Sequence, residues 1–434
     1  MHGQFVKNIF IASISLLIIM AYGWFALNKA VSGLSESGTD KPQDVSIAEN
    51  SKKEQVEVTF WTLQMSDFAP YMNKVIKEFE TQNPSIKINW IDVPFSEGEK
   101  RTLASVLSNK TPDVVNLNPD FTALLAQKGA LWEIPEENAG QFNHDILEAL
   151  KYNGKLYSLP WYATSAVTIY NKRLLEESGV QVPKTFNDAA NIAGKINLVT
   201  NSYVFLPNIT ENDTMLKILN KYGVTTENIN SSKSVEVFEM FKTLYAKNLI
   251  PKESVTQTHR EALEKYMSEN VVLFQAGANF LTMIKENAPA TYTWTDVAPQ
   301  LTGDLGQNDF SLMNFVIPQK AQYKNEALLF ILFLTNEENQ LELGKLTNVL
   351  AVNQKALQND FYKKYDDDDL MSKARVISAK QLKKITPVML TQRNQKEINT
   401  IVNTAVQQIL LNKSATQTIL DSAAEKLRTL NDNY

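Results

Sequence analysis

Apolar residues recur along this 434-residue chain at two spacings. Val56 to Thr62 (VEVTFWT) and Ile86 to Ile91 (IKINWI) read as strands. Between them, Met72, Val75, Ile76 and Phe79 fall on one face of a helix over Pro70 to Gln82. Strand, helix and strand in so short a length predict a βαβ unit and hence a parallel sheet. A second helix is expected over about Ser96 to Asn109 and a third strand over Asp113 to Leu117. Asn118-Pro119-Asp120 then has the form of a helix start: an N-cap, a proline at the first helical position and an acid at the positive end of the dipole. Gly129 closes that helix.

The stretch from Lys151 to Phe186 is dense in such signals. Asn153-Gly154 predicts a tight hairpin turn, since both residues accept positive φ. Leu156 to Leu159 reads as a short strand stopped by Pro160, which places Trp161 and Tyr162 outside regular sheet. Ala166 to Tyr170 (AVTIY) is a second strand, rich in β-branched residues. Asn171-Lys172 opens a short helix that Gly179 closes, and Thr185 with Asp188 has capping-box spacing for the next. The chain is then mostly helical to about Val271, with Ser234 to Ala246 amphipathic. Phe310 to Pro318 reads as a strand and Lys324 to Thr335 as an apolar helix. Thr335 with Glu338 suggests a capping box for a following helix that Gly344 ends. Ile398 to Leu411 and Ser414 to Leu430 are expected to be two amphipathic terminal helices.

The N-terminal segment changes the picture. Ile9 to Leu27 is almost wholly apolar, roughly 19 residues and near the lower limit of a membrane span. Two readings stay open. One is a signal peptide, with Ala30-Val31-Ser32 as a small-x-small cleavage site; the other is an uncleaved anchor with Lys7 held inside. Either exports the body. Residues 33–55 are polar and poor in aromatics, as in a flexible tether.

Composition narrows the class. Hydrophobic residues make up 44% and charged residues 21%, values of a globular chain. Without the N-terminal segment and its Lys7 and Lys29, 41 basic residues face 48 acidic ones. That balance argues against a nucleic-acid partner. The absence of cysteine excludes disulfides, thiolate metal sites, a cysteine nucleophile and an N-terminal lipid-modified cysteine. His2, His144 and His259 are too scattered for a metal set, and Asp366 to Asp369 lacks the spacing of a calcium loop. No P-loop, Gly-x-Ser-x-Gly elbow or HExxH motif occurs. We therefore expect no cofactor, no metal and no catalytic residue.

The ordered set Asn153-Gly154-Lys155-Leu156-Tyr157, Leu159-Pro160, Tyr170-Asn171-Lys172, Gly179, Pro183 and Thr185 resembles the extracellular solute-binding proteins of ABC importers, in the class that binds maltose-like oligosaccharides. Further pieces are similar: Thr111-Pro112-Asp113-Val114-Val115, Val271 to Gly277, Trp294 to Gln300, Ala327 to Ala356 and the two terminal helices. Asn279-Phe280 stands where a tryptophan is common in the family, and Ala351 where a proline is usual. The resemblance covers about Val56 to Leu430. It implies an α/β, periplasmic-binding-protein-like fold: two α/β lobes around a ligand cleft, joined by a multi-segment hinge. The lobes would comprise 56–162 with 312–362, and 163–311 with 363–434. It also implies an extracytoplasmic, monomeric protein that captures a sugar, oligosaccharide or polyol by hinge closure and delivers it to ABC permease transmembrane subunits. A membrane-tethered sensor and a secreted glycan-active enzyme are the alternatives.

Such a cleft needs flat apolar rings and neutral or acidic hydrogen-bonding groups at strand C-termini and crossings. The candidates are Trp161 and Tyr162 after Pro160, Thr164 and Ser165 in the same crossing, and Asn118 and Asp120 at a helix start that caps and faces the cleft together. Gln64 and Asp67 follow the first strand, although Asp67 is equally placed to cap the Pro70 helix. Asn279, Phe280, Asn314 and the loop from Gly303 to Asp309 complete the set. A phosphate ester would want arginines, and Arg393 is the residue placed to supply one.

Overall fold

A computed structural model of the chain describes residues 55–63, 65–108, 110–382, 394–411 and 414–432. The apolar segment Ile9 to Leu27, Gln64 and Arg393 lie outside them. Among the described residues no helix is long and apolar enough to cross a membrane.

Among the described residues twelve strands form: β1 (Val56–Leu63), β2 (Ile86–Val93), β3 (Val114–Leu117), β4 (Lys151–Tyr152), β5 (Lys155–Leu156), β6 (Ser158–Thr164), β7 (Val167–Asn171), β8 (Tyr203–Phe205), β9 (Val271–Ala276), β10 (Thr295–Pro299), β11 (Ser311–Val316) and β12 (Leu350–Ala351). The expected βαβ unit is present. Helix Ala69–Gln82 joins β1 to a parallel β2, and β3 pairs parallel on the other side of β1. Antiparallel β11 and β6 extend this sheet, giving the order β12-β6-β11-β3-β1-β2. A second sheet has the order β10-β7-β9-β8. Each sheet packs its own helices, so the protein has two α/β lobes. The first is centred on Phe60, Phe79, Phe315 and Phe330, the second on Phe186, Phe205, Phe238 and Phe241.

The chain crosses between the sheets at Ser165 and Ala166, after β6, and again between β10 and β11. Helix Leu370–Gln381 lies at a third crossing. Its Ala374 packs in a second-lobe core cluster, while Ala379 and Leu382 pack in the first.

Four local expectations are corrected. Pro160 does not stop a strand; it sits inside β6 at an irregularity of the β6–β11 ladder, where Asn314 faces Pro160 and Met313 faces Tyr162. A bulge is where a strand tolerates a residue without an N–H. Trp161 is the residue that the irregularity leaves over, so it lies within the sheet. Thr335 is not an N-cap: it is the C-cap of helix Lys324–Leu334, its hydroxyl donating back to the carbonyl of Ile331, and Asn336 is the N-cap of helix Glu337–Thr347. Gly344 does not end that helix, which closes at Asn348 in the left-handed region. Gly344 is there for close approach, since a Cβ would lie 1.8 Å from the Tyr362 hydroxyl. The Thr185–Asp188 capping box forms as the spacing predicts.

The candidate solute cleft

Two adjoining cavities, of about 410 Å³ and about 380 Å³, open where the two sheets present their crossings. Both lie in the size range of small-molecule sites. They share Asn212, Asp213, Lys217, Lys221, Asp309, Phe310 and Ser311. The first is walled by rings, Phe186, Phe205, Phe274 and His259, with Glu211 and Asn208 beside them. The second is walled by Asn118, Asp120, Asn220, Gln395 and Asn399. Asn118 and Asp120 come from the first lobe, at the C-terminal end of β3; Asn220, Gln395 and Asn399 lie on helices packed in the second. Open α/β sheets bind ligands at such strand ends.

The structure brings together five of the residues expected from the sequence, and one of them is Asp309, which ends the expected 303–309 loop and lines both cavities. Asn118 caps helix Pro119–Gln127 by accepting from the Phe121 amide at 2.8 Å, and it lines the second cavity at the same time. Asp120 lines that cavity from the first turn of the helix. Thr164 is exposed at the first cavity. Ser165 lines it too, but its hydroxyl accepts from Gln300 at 3.1 Å and from Gln381 at 2.9 Å, so it serves the hinge.

Other expectations are corrected. Trp161 is fully buried, its ring 4.6 Å from Phe315 and 5.1 Å from Tyr162. It is a core side chain of the first lobe, because the ladder irregularity turns it inward. Tyr162 is half-buried; its hydroxyl donates to the Met65 sulfur, and burial pushes its pKa up to about 12. It lines neither cavity. Asn314 is sealed in the middle of the sheet, opposite Leu117 and Pro160. Asn279 is exposed just ahead of helix Phe280–Asn287. The Phe280 ring stands behind the cavity wall, 4.9 Å from His259 and 5.6 Å from Phe274. Asp67 sits on the short helix Ser66–Phe68, one turn before helix Ala69–Gln82, whose N-cap is Phe68.

Apart from Asp309, the charged floor, with Lys217 and Lys221 at its centre, lies outside the sequence expectations. Lys217 pairs with Asp213 at 3.1 Å. Burial opposes its charge, but Asp213, Asp309 and Asp120 together hold its pKa above the ordinary lysine value. Lys221, one turn on, is almost wholly buried, and burial lowers its pKa. Burial likewise lowers the pKa of His259, with Glu211 opposing. A signal was available: Lys217 and Lys221 stand four apart in a segment otherwise apolar at Met215, Leu216, Ile218 and Leu219.

The description "bacterial extracellular solute-binding protein" matches the sequence over residues 64–341. A multiple sugar-binding protein of Streptococcus mutans is 25% identical over 317 residues, 66% of this chain and 73% of that one. Among solved structures, a Synechococcus sp. MITs9220 protein, provisionally named an oligosaccharide periplasmic-binding protein, superposes with a TM-score of 0.79 at 28% identity. It covers 87% of this chain and 99% of that one. The maltose complex of the maltose-binding protein MalE from Listeria monocytogenes shares the fold, with a TM-score of 0.73 at 19% identity over 88% of this chain and 99% of that one. With its two lobes, its cleft at their crossings and a family match over most of its length, the chain belongs to the bacterial extracellular solute-binding proteins.

Proposed function

We propose that this protein captures a sugar, oligosaccharide or polyol outside the cytoplasm and delivers it to the transmembrane subunits of an ABC permease. The observation that carries the reading is the pair of adjoining cavities whose walls come from both lobes, rings on one side and hydroxyl-binding groups on the other. Rings stack on sugar C–H faces, and Asn, Asp, Thr and Lys satisfy hydroxyls in both donor and acceptor roles. Contacts from two lobes exist together only when the lobes are closed, so binding shifts the population toward closure. The residues proposed to meet the solute are Asn118, Asp120, Thr164, Lys217, His259 and Asp309. The protein works as a monomer, and the lobe boundaries fall at Ser165, in the segment from Gln300 to Phe310, and along helix Leu370–Gln381. The relatives' names include proteins that bind multiple sugars, maltose and mannitol, which supports a carbohydrate here.

Thermal melting of the full chain with maltotriose, diacetylchitobiose, mannitol and a sugar phosphate tests this. A true solute at about 100 times its dissociation constant should stabilise the protein by about 2.7 kcal/mol. If the sugar phosphate alone shifts the melting point, the neutral-carbohydrate reading fails.

A further inference from the structure

The three crossings are tied by one polar network, and Lys221 stands at its head. Its ammonium donates to the Gln300 side-chain oxygen at 2.6 Å and to the Leu301 carbonyl at 2.8 Å, and it pairs with Asp309 at 3.4 Å. Gln300 passes the connection on. Its amide nitrogen donates to the Ser165 hydroxyl at 3.1 Å and to the Asp309 carbonyl at 3.0 Å, and its backbone N–H donates to Gln381 at 2.7 Å. Gln381 in turn donates to the Ser165 hydroxyl at 2.9 Å and to the Ala166 carbonyl at 2.8 Å. Lys221 belongs to the second lobe, at the end of helix Thr214–Asn220. The groups it reaches belong to the crossings. Asp309 is one-third exposed and lines both cavities.

We infer that Lys221 is the positioning residue of the cleft: its buried ammonium holds the Asp309 carboxylate at the floor and fixes the 300–310 crossing to the second lobe. The inference rests on the reading of this cleft as the solute site. A solute hydroxyl that binds Asp309 would thereby act directly on the hinge.

A purely structural role would not call for a lysine here. The charged and titratable groups facing its ammonium are Asp309 and Lys217; the other neighbours are Gln300, the Leu301 carbonyl and the Phe186 ring, 5.7 Å away. Burial and Lys217 lower the Lys221 pKa, and Asp309 only partly restores it. A lysine whose folded pKa lies below its unfolded value weakens the fold at neutral pH, and that cost is relieved only as pH rises and the proton leaves. Replacing a buried charge by a well-packed apolar group often leaves a fold no less stable. The ammonium is therefore better explained by what it positions.

The test is Lys221→Met in the full chain, followed by amide hydrogen exchange and by calorimetric titration with maltotriose, diacetylchitobiose and mannitol. Exchange in residues 300–310 should quicken about tenfold or more while strands β1 and β9 keep wild-type protection. Affinity for whichever sugar binds wild type should fall about tenfold or more, the scale for a charged group left without its partner. Wild-type affinity should also decline as pH rises toward the ordinary lysine value of about 10.4, and the variant should lose that decline. Asp309→Asn, on a part-exposed side chain, keeps the test alive if the first variant folds poorly. It should act in the same direction, and the double variant should add little to either single one. Unchanged exchange at 300–310, or wild-type affinity in the folded fraction, overturns the assignment. If none of the three sugars binds wild type, the carbohydrate reading fails, and the exchange result alone decides on Lys221.

Discussion

Trp161→Ala is expected to remove about 3–5 kcal/mol of stability and to leave solute affinity in the folded fraction unchanged. The ring is fully buried in the first lobe, packed between Phe315 and Tyr162, and the Trp161 carbonyl accepts from Gln340 at 2.5 Å. Truncation leaves a hole in a sheet held from both sides, by β11 and by β12, so collapse cannot fill it. The same residue looks from the sequence like a stacking platform in the cleft. A platform would cost on the order of 1–3 kcal/mol of affinity and little stability. A denaturant melt and a titration on one sample separate the two. Intact stability with lost binding would put the ring back in the cleft.

The contrast shows which information a sequence holds locally. The βαβ unit over residues 56–93 was legible because its apolar spacing is set within each element. The same holds for the Thr185 capping box and the Asn118 helix start, whose partners lie within four residues. Asn118 and Asp120, which line the second cavity, stand out in the sequence for that reason: a helix N-terminus at a strand end is visible in four letters. Trp161 was misplaced because its direction depends on the register of β6 against β11, some 150 residues away in sequence. The same limit hid the floor. Lys221 meets Gln300, Leu301 and Asp309 across separations of about 80–90 residues, and only the folded chain joins them. Gly344 misled for a related reason, because a glycine near a helix end has a local explanation and the Tyr362 contact that requires it is 18 residues on.

Gly303→Ala should impair both stability and binding, unlike Trp161→Ala. Gly303 starts the loop of the second crossing, pressed flat against the backbone of Lys221. A Cβ there would lie 2.5 Å from the Lys221 carbonyl oxygen and 2.7 Å from its carbon. Those atoms cannot rotate away as a side chain could, so the loop or the end of helix Thr214–Asn220 must move. Overpacking of this kind costs about 1–3 kcal/mol. The shift also strains the bond from the Leu305 amide to the same carbonyl, now 3.1 Å, worth about 1 kcal/mol. Stability should therefore fall by roughly 2–4 kcal/mol. Moving the Lys221 backbone draws its ammonium from Gln300 and Asp309, so affinity should drop in the surviving folded fraction as well. Melting and titration of the full-length variant, set beside Trp161→Ala, check this. A variant that loses stability yet binds as wild type would show that the 303–309 loop moves independently of the cleft floor. In that case the hinge must be read at Ser165 and Gln381 alone.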